Sequence, residues 1–518
     1  MAMARNIPRF GRREALRAGA AGVASVASLA WGPFFGSRSA AQSPPAMPGA
    51  PNTPMQTVDP KDRKILFVFC AHGGAGIINS FLPLVDTEVG DPTLASTLDV
   101  YPEALVDQLP GLGFRHVRNL DSATFSYMKE PPPMDGFLQR HGRDMAIFCH
   151  GVSSVNHNVA QARSLNGAGA NAGRTIMEAM AMRYGGGMPL PNCNMGTDGF
   201  IEHGHDDSVP ARARHEIITA PMFFATGTHG SRGVVGVPSV GSIERARRIR
   251  QQLDRETVFG RTFGKSPRVM RYLEQRSFAT EELERADLIE RLLLLDPSTV
   301  DPKFGLQAGA VVADLYTRFP DLAVHDVQAQ LGLGFLLAYH GVATSVTLGF
   351  RSDPVITQAD GVVTAPIAFD YSHSSHRVTQ NVMWGNLAAL LDTMITLLKD
   401  YDYMGDPSLG KMWDRSLIYV ATDFGRTKER PAEAGEWSSG HDLNNGSVLI
   451  SPLINGNRVY GGVDPKTALT YGFNRETGAP DPASALEEAA LYGALCHVLD
   501  IDFSGREACP ALVRAQSA

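Results

Sequence analysis

Five short apolar runs limit most strongly what this chain can fold into. They are "RKILFVFC" (Arg63–Cys70), "MAIFC" (Met145–Cys149), "TSVTLGF" (Thr344–Phe350), "SLIYVAT" (Ser416–Thr422) and "SVLIS" (Ser447–Ser451). A strand with one wet face alternates apolar and polar residues, whereas a strand buried on both faces reads as a continuous apolar run. Most of these runs meet Gly or a polar cluster at the C-terminal end, as buried parallel strands do where loops leave the sheet. Between them lie segments with apolar residues three and four apart: Arg174–Tyr184, Val324–His340, Asn386–Tyr401 and Ser484–Leu499. That spacing predicts helices. Alternating strands and helices predict a layered α/β fold around a mostly parallel sheet. Residues 240–320 break the alternation. They are charged and helical in pattern, as in "TEELERADLIERLLLL" (Thr280–Leu295), and predict a helical insertion packed on the main domain. The Gly-rich loops "LNGAGANAGR" and "YGGGMPLPN" lack the Walker spacing and do not directly follow a strand, so they are weak as phosphate loops.

The first 41 residues read as something other than fold. Paired arginines, Arg12 and Arg13, precede a weakly apolar, Ala/Gly-rich stretch that ends in small residues at Ser39–Ala41. This is the pattern of a twin-arginine export signal. The alternative, an N-terminal membrane anchor, fits less well, because a spanning helix needs about 20 mostly apolar residues. Residues 42–60 are Pro-rich and predict a flexible or extended lead-in, leaving 61–518 as the folded domain. No later segment reads as a membrane span. Export predicts a periplasmic or extracellular protein.

Charge narrows the partners. The whole chain carries a formal −7. Residues 1–41 hold six Arg against one Glu, so a processed chain carries about −12. Such a chain is poorly suited to nucleic-acid backbones or anionic lipid. The five cysteines, Cys70, Cys149, Cys193, Cys496 and Cys509, form no CxxC, and their odd number leaves at least one thiol unpaired. Cys70 and Cys149 end apolar runs and read as core residues.

Ligands of open α/β sheets bind outside the carboxyl ends of the strands. The first run delivers "CAHGGAG", with His72. The second delivers "CHGVSSVNHNVAQARS", with Ser153, Ser154, Asn156, His157, Asn158, Arg163 and Ser164. Later come "FDYSHSSHR" with Asp370, His373 and His376, "ATDFGRT" with Asp423 and Arg426, and "WSSGHDLNNGS" with His441, Asp442, Asn444 and Asn445. Each piece alone has a plain reading. "HGG" is equally a tight turn, and Asx residues before Gly446 suit a turn. Asp and His recur after several separate strands, as a metal or oxyanion site built at the sheet edge requires. Carboxylate with imidazole suits Zn, Mn, Mg or Ca.

In order and content these pieces resemble the exported bacterial proteins of the domain-of-unknown-function family fifteen-oh-one, placed in the alkaline phosphatase and sulfatase superfamily. The similarity runs from about residue 63 to the C-terminus. "SLIYVATDFGRT" looks like the family's strand ending in S-E-F-G-R-T, and "NGNRVYGGVD" like its G-G-x-V-Y-G stretch. "CHGVSSVNHNVAQARS" is similar to its H-G-V-x-x-x-N-x-N-R-S-H-F-R-S segment, and "FDYSHSSH" resembles its F-D-T-H. The resemblance implies an alkaline-phosphatase-like α/β/α sandwich and a hydrolase of small-molecule or polymer phosphate or sulfate esters. It also implies a divalent metal, Zn, Mn or Ca, at the strand ends. On that reading Asp370, His373, Asp423, His441 and Asp442 are the metal ligands. His72, His157, Arg163 and Ser164 carry the chemistry, with Ser153 and Ser154 as other hydroxyls and water as the alternative nucleophile. Asn156, Asn158, Arg426 and Asn444 contact substrate.

Three departures stand against this. Gly76 replaces the Asp of the family's G-G-x-D-G. Val159–Ala162 replaces its R-S-H-F. His441–Leu443 reverses the order of its D-H-G. Either the site has been rebuilt, with His72, His157 and Asn158 standing in and Asp442 with Asn444 forming an oxygen-rich corner, or it has decayed into a non-catalytic binding or assembly module. "HGGAG" also resembles an esterase oxyanion loop. That fold needs a G-x-S-x-G elbow, which the chain lacks.

Overall fold

The structure is a computed structural model. It describes residues 53–118, 133–196, 199–228, 238–266, 269, 270, 273, 287–296, 298, 309–350, 357, 358, 361, 362, 368–505 and 508–515. The expected export signal and residues 42–52 of the lead-in lie outside the described residues, as does much of the expected insertion. Residues 53–60 run extended but are tied down: the Thr53 and Gln56 amides donate to Ser208 O and Met182 O.

The central sheet has eight strands among the described residues: β1 (Ile65–Ala71), β2 (Met145–Gly151), β3 (Asn192–Asn194), β4 (Glu216–Ile217), β5 (Ser345–Phe350), β6 (Ser416–Thr422), β7 (Asn444–Ile450) and β8 (Arg458–Tyr460). Their order is β8-β2-β7-β6-β1-β5-β3-β4. Every neighbouring pair is parallel except the two made by β7, which runs against both β6 and β2. The chain is therefore an α/β protein around a mostly parallel sheet. "SVLIS" is the exception to the parallel reading. Its polar cluster precedes the apolar residues instead of following them, and that order reports the reversed direction.

Both faces of the sheet are covered, which explains the unbroken apolar runs. Along β1, Ile65, Phe67 and Phe69 pack into one core with helices α3 (Asp326–Tyr339) and α4 (His376–Asp400). The intervening Leu66, Val68 and Cys70 pack into the other, with α2 (Ile176–Tyr184) and α5 (Glu488–Val498). Successive side chains of a strand point to opposite faces, so one strand feeds both cores. Each fully buried Phe or Leu contributes about 1.5–3 kcal/mol. Local signals start the helices. Thr175 caps α2, its Oγ accepting from the Glu178 amide at 3.1 Å while Glu178 accepts from the Thr175 amide at 2.9 Å, the reciprocal pair that T-x-x-E encodes.

Among the described residues α4 is long and apolar enough to cross a membrane, but 67% of its apolar window is buried, and its Val382, Leu387, Leu391 and Ile395 lie in the core. All five cysteines are buried and unbridged. Burial pushes the Cys70 and Cys149 thiols up to about 12, so both stay protonated. The described start of the insertion departs from expectation: none of residues 241–263 is buried.

Candidate metal centre

The carboxyl ends of β1, β2 and β6 meet at one edge, and the reversed β7 starts there. The turn after β1 is built on Gly73 and Gly74, at φ +86° and +77°. Only glycine adopts these angles without strain. Their amides both point at the carboxylate that follows β6. Gly74 N donates to Asp423 Oδ1 at 2.7 Å and Gly73 N to Oδ2 at 3.2 Å. Successive amides of this kind form an anion-binding nest. His157 opens helix α1 (His157–Asn166), and its Nδ1 lies 2.7 Å from Asp423 Oδ2.

Burial works to raise the Asp423 carboxyl. The His157 hydrogen bond, the charges of His157 and His72 and the Gly74 amide outweigh it and hold the group below its ordinary value. The same hydrogen bond raises His157 against the effect of its burial. When the His157 ring is neutral and its Nδ1 donates to Asp423, Nε2 carries the lone pair.

That lone pair belongs to a cluster on Asp370, which lies in a short turn, Ala368–His373, ahead of α4. Asp370 Oδ1 is 3.9 Å from His157 Nε2, 3.7 Å from His441 Nε2 and 3.2 Å from His373 Nε2. His441 also has its other nitrogen fixed, with Nδ1 3.1 Å from Val155 O. Its ring stacks on Phe424, centroids 3.9 Å apart. Burial and the Arg426 charge lower the pKa of both His373 and His441, which favours neutral, ligating imidazole. Ligand atoms of His157, Asp370 and His441 all lie within 4.8 Å of one another. Tetrahedral ligands bound at about 2.0–2.1 Å sit about 3.3 Å apart, so small side-chain shifts would close this triad on one ion. His373 and His441 touch through their Nε2 atoms at 2.8 Å, closer than two ligands of one ion. His373 therefore stands beside the triad. The chemistry of the set fits a metal: two imidazoles whose far nitrogens are held by a carboxylate and a carbonyl are the usual outer support of ligating histidines.

Arg426 is fully buried. It donates to Asp370 Oδ1 at 2.9 Å, to Phe369 O and Ser439 O at 3.2 Å each, and to Gly73 O. It fastens the turn that carries Asp370, and an ion must share that carboxylate with a guanidinium. Expected as a substrate contact, it is placed instead as a buried clamp.

The other expected site residues scatter. In the short ribbon pairing Gly425 with Asp442 and Arg426 with His441, alternation sends His441 and Asp442 to opposite sides. Asp442 Oδ1 accepts from Asn444 N at 2.7 Å in a local turn. Asn444 Oδ1 accepts from Thr470 N at 2.9 Å, so the oxygen-rich corner is a loop clasp. Asn156 caps α1, accepting from Val159 N at 3.3 Å, and Asn158 is exposed on the first turn. Arg163 donates to Ser153 O at 2.7 Å, and Ser153 Oγ is 2.9 Å from Glu488. Ser164 is buried, its Oγ donating to Gln161 O at 2.9 Å within its own helix. His72 is buried edge-on to Phe200, ring centroids 4.6 Å apart. Phe424, the floor under His441, went unmarked in the sequence, where it reads as another apolar residue in "DFG".

The chain matches no known family model, and no curated protein matches it.

Proposed function

We propose that the chain is an exported protein with an alkaline-phosphatase-like sandwich, related to family fifteen-oh-one, that hydrolyses a phosphate or sulfate ester with the help of a divalent metal. One observation carries the reading: His157, His441 and Asp370, drawn from three separate segments, aim ligand atoms at one point at the carboxyl edge of the sheet. That edge is where open α/β folds bind ligands. A divalent ion there would supply positive charge to a phosphoryl or sulfuryl oxygen and acidify a water. The imidazole-rich set suits Zn better than Ca, which takes oxygen cages. Asp423 fixes the His157 ring and, in the neutral imidazole, leaves the lone pair on Nε2. Val155 O does the same for His441. Phe424 shields one face of that ring from water, and Arg426 locks Asp370. Ser164 is turned into its own helix, so water is the attacking group on this reading.

The alternative, a binding or assembly module on a degenerate scaffold, draws on one observation. A Cβ built at Gly76 would overlap Asn79 Oδ1, so the space for the family's Asp is filled. Turnover of p-nitrophenyl phosphate and p-nitrophenyl sulfate, with and without chelator, separates the two. The hydrolase reading expects chelator-sensitive turnover reduced by about 100-fold or more in His441→Ala. No turnover of either ester after loading with Zn or Mn favours the binding module.

A further inference from the structure

The net acidity of the chain hides a basic, apolar arm. The helix Val240–Glu256 begins at Ser239, whose Oγ accepts from Ser242 N at 3.3 Å, and a second helix, Val258–Phe263, follows it. Residues 240–266 hold seven cations (six Arg and Lys265) against three acidic groups, a net of +4 in a chain of −7. None of residues 241–263 is buried. A soluble helix of about 25 Å normally hides one apolar stripe against a core. Here large apolar side chains face solvent: Ile249 and Leu253 one turn apart, Val258 at 73% exposure, and Phe259 and Phe263 with ring centroids 5.4 Å apart.

Basic residues flanking exposed Leu, Ile and Phe on an amphipathic helix are the composition of a segment that lies in a bilayer interface. The apolar side chains enter the headgroup boundary while arginines meet lipid phosphates, each cation adding attraction within a Debye length of an anionic surface. The charge contrast decides the occupant. A neutral apolar partner would not call for seven cations, and an acidic body carrying a +4 arm is oriented by an anionic surface, arm first. We infer that residues 240–266 dock this protein on the surface of an anionic lipid bilayer, without crossing it.

The test is co-sedimentation of the purified full-length protein with vesicles of phosphatidylglycerol and phosphatidylethanolamine, beside vesicles of phosphatidylcholine alone. The variants are Phe259→Ser with Phe263→Ser, and Arg245→Gln with Arg248→Gln. All four side chains are exposed, so unchanged thermal unfolding verifies the fold. Binding is expected on the anionic vesicles alone, weakened about tenfold or more by either pair of substitutions and by raising salt from about 0.05 M to 0.5 M. Three results overturn the inference: no binding to anionic vesicles, equal binding to both kinds, or anionic binding that both variants retain. Concentration-dependent self-association abolished by the same substitutions, without vesicle binding, would assign the arm to a second copy of the chain.

Discussion

Replacing Asp423 with Asn tests the support behind the candidate centre. The carboxylate is fully buried and accepts four hydrogen bonds: Gly74 N at 2.7 Å and the Thr422 hydroxyl at 3.4 Å on Oδ1, and Gly73 N at 3.2 Å with His157 Nδ1 at 2.7 Å on Oδ2. An amide offers one oxygen. If it takes the Oδ2 place, its NH2 faces the Gly74 amide at the shortest backbone contact, and backbone cannot adapt. If it takes the Oδ1 place, the NH2 faces the longer Gly73 contact and His157, and His157 adapts by changing tautomer. The second arrangement wins. It moves the His157 proton from Nδ1 to Nε2, the atom aimed at Asp370, and so removes a ligand without removing the side chain. Hydrogen bonds to charged groups contribute about 1.5–3 kcal/mol each, so losing one and weakening the others costs about 3 kcal/mol of stability. Substituting the outer partner of a ligating histidine lowers metal affinity about 10–100-fold. Competitive Zn titration gives the affinity, urea unfolding the stability, and nitrogen-15 NMR of the His157 ring the tautomer. Zn affinity within twofold of wild type, with Nε2 still unprotonated, would refute the reasoning.

Three further outcomes follow from the same geometry. Gly74→Ala places a side chain at φ +77° with its Cβ against Arg426 Nε and the Phe424 ring; left-handed strain and overpacking together cost about 2–5 kcal/mol, read as a lower urea midpoint at unchanged slope. Ser164→Ala leaves ester turnover within about twofold, because the hydroxyl serves its own helix and loses only about 1 kcal/mol of stability; a collapse of turnover would make Ser164 the nucleophile after all. Asp99 is fully buried, and although burial works to raise its carboxyl, the hydrogen bond and charge of His376 and the charge of Arg377 hold it below the ordinary range. Its contribution is therefore complete above the unfolded value of about 3.9 and fades as pH falls through the lower folded value. Asp99→Asn should lose about 3–5 kcal/mol at pH 7, and the gap to wild type should narrow in acid.

Much of this fold was legible in the sequence, for physical reasons. The long strands are buried on both faces, so β1, β2, β5 and β6 appear as continuous apolar runs. The short strand β3 was not legible. Its "NCN" looks like loop, yet both Asn side chains are buried, Asn192 Nδ2 donating to Ala213 O at 3.1 Å and Asn194 Nδ2 to Phe200 O at 2.8 Å. Helix α4 begins ten residues before its expected start at Asn386, because its first turns bury polar residues. His376 and Arg377 there bind Asp99, a partner far away in sequence. At the candidate site, residue types after strands pointed to the edge where Asp370, His373 and His441 come together. Which neighbour joins the triad depended on direction: the reversed β7 and its ribbon turn His441 inward and Asp442 outward. Asp423, expected as a ligand, lies one layer behind, its Oδ2 2.7 Å from His157 Nδ1. Helix phase turned Ser164 away, and no single-sequence pattern reports the phase of one helix against a distant turn.

Metal content of the purified protein, measured by mass spectrometry after loading with Zn, tests the central claim most directly, with His441→Ala and Asp442→Ala as paired variants. These neighbours have similar exposure and opposite orientation. The account predicts about one ion per chain in wild type, retained in Asp442→Ala and lost in His441→Ala. A wild-type protein that holds no metal, or a metal lost with Asp442 and kept without His441, would contradict it.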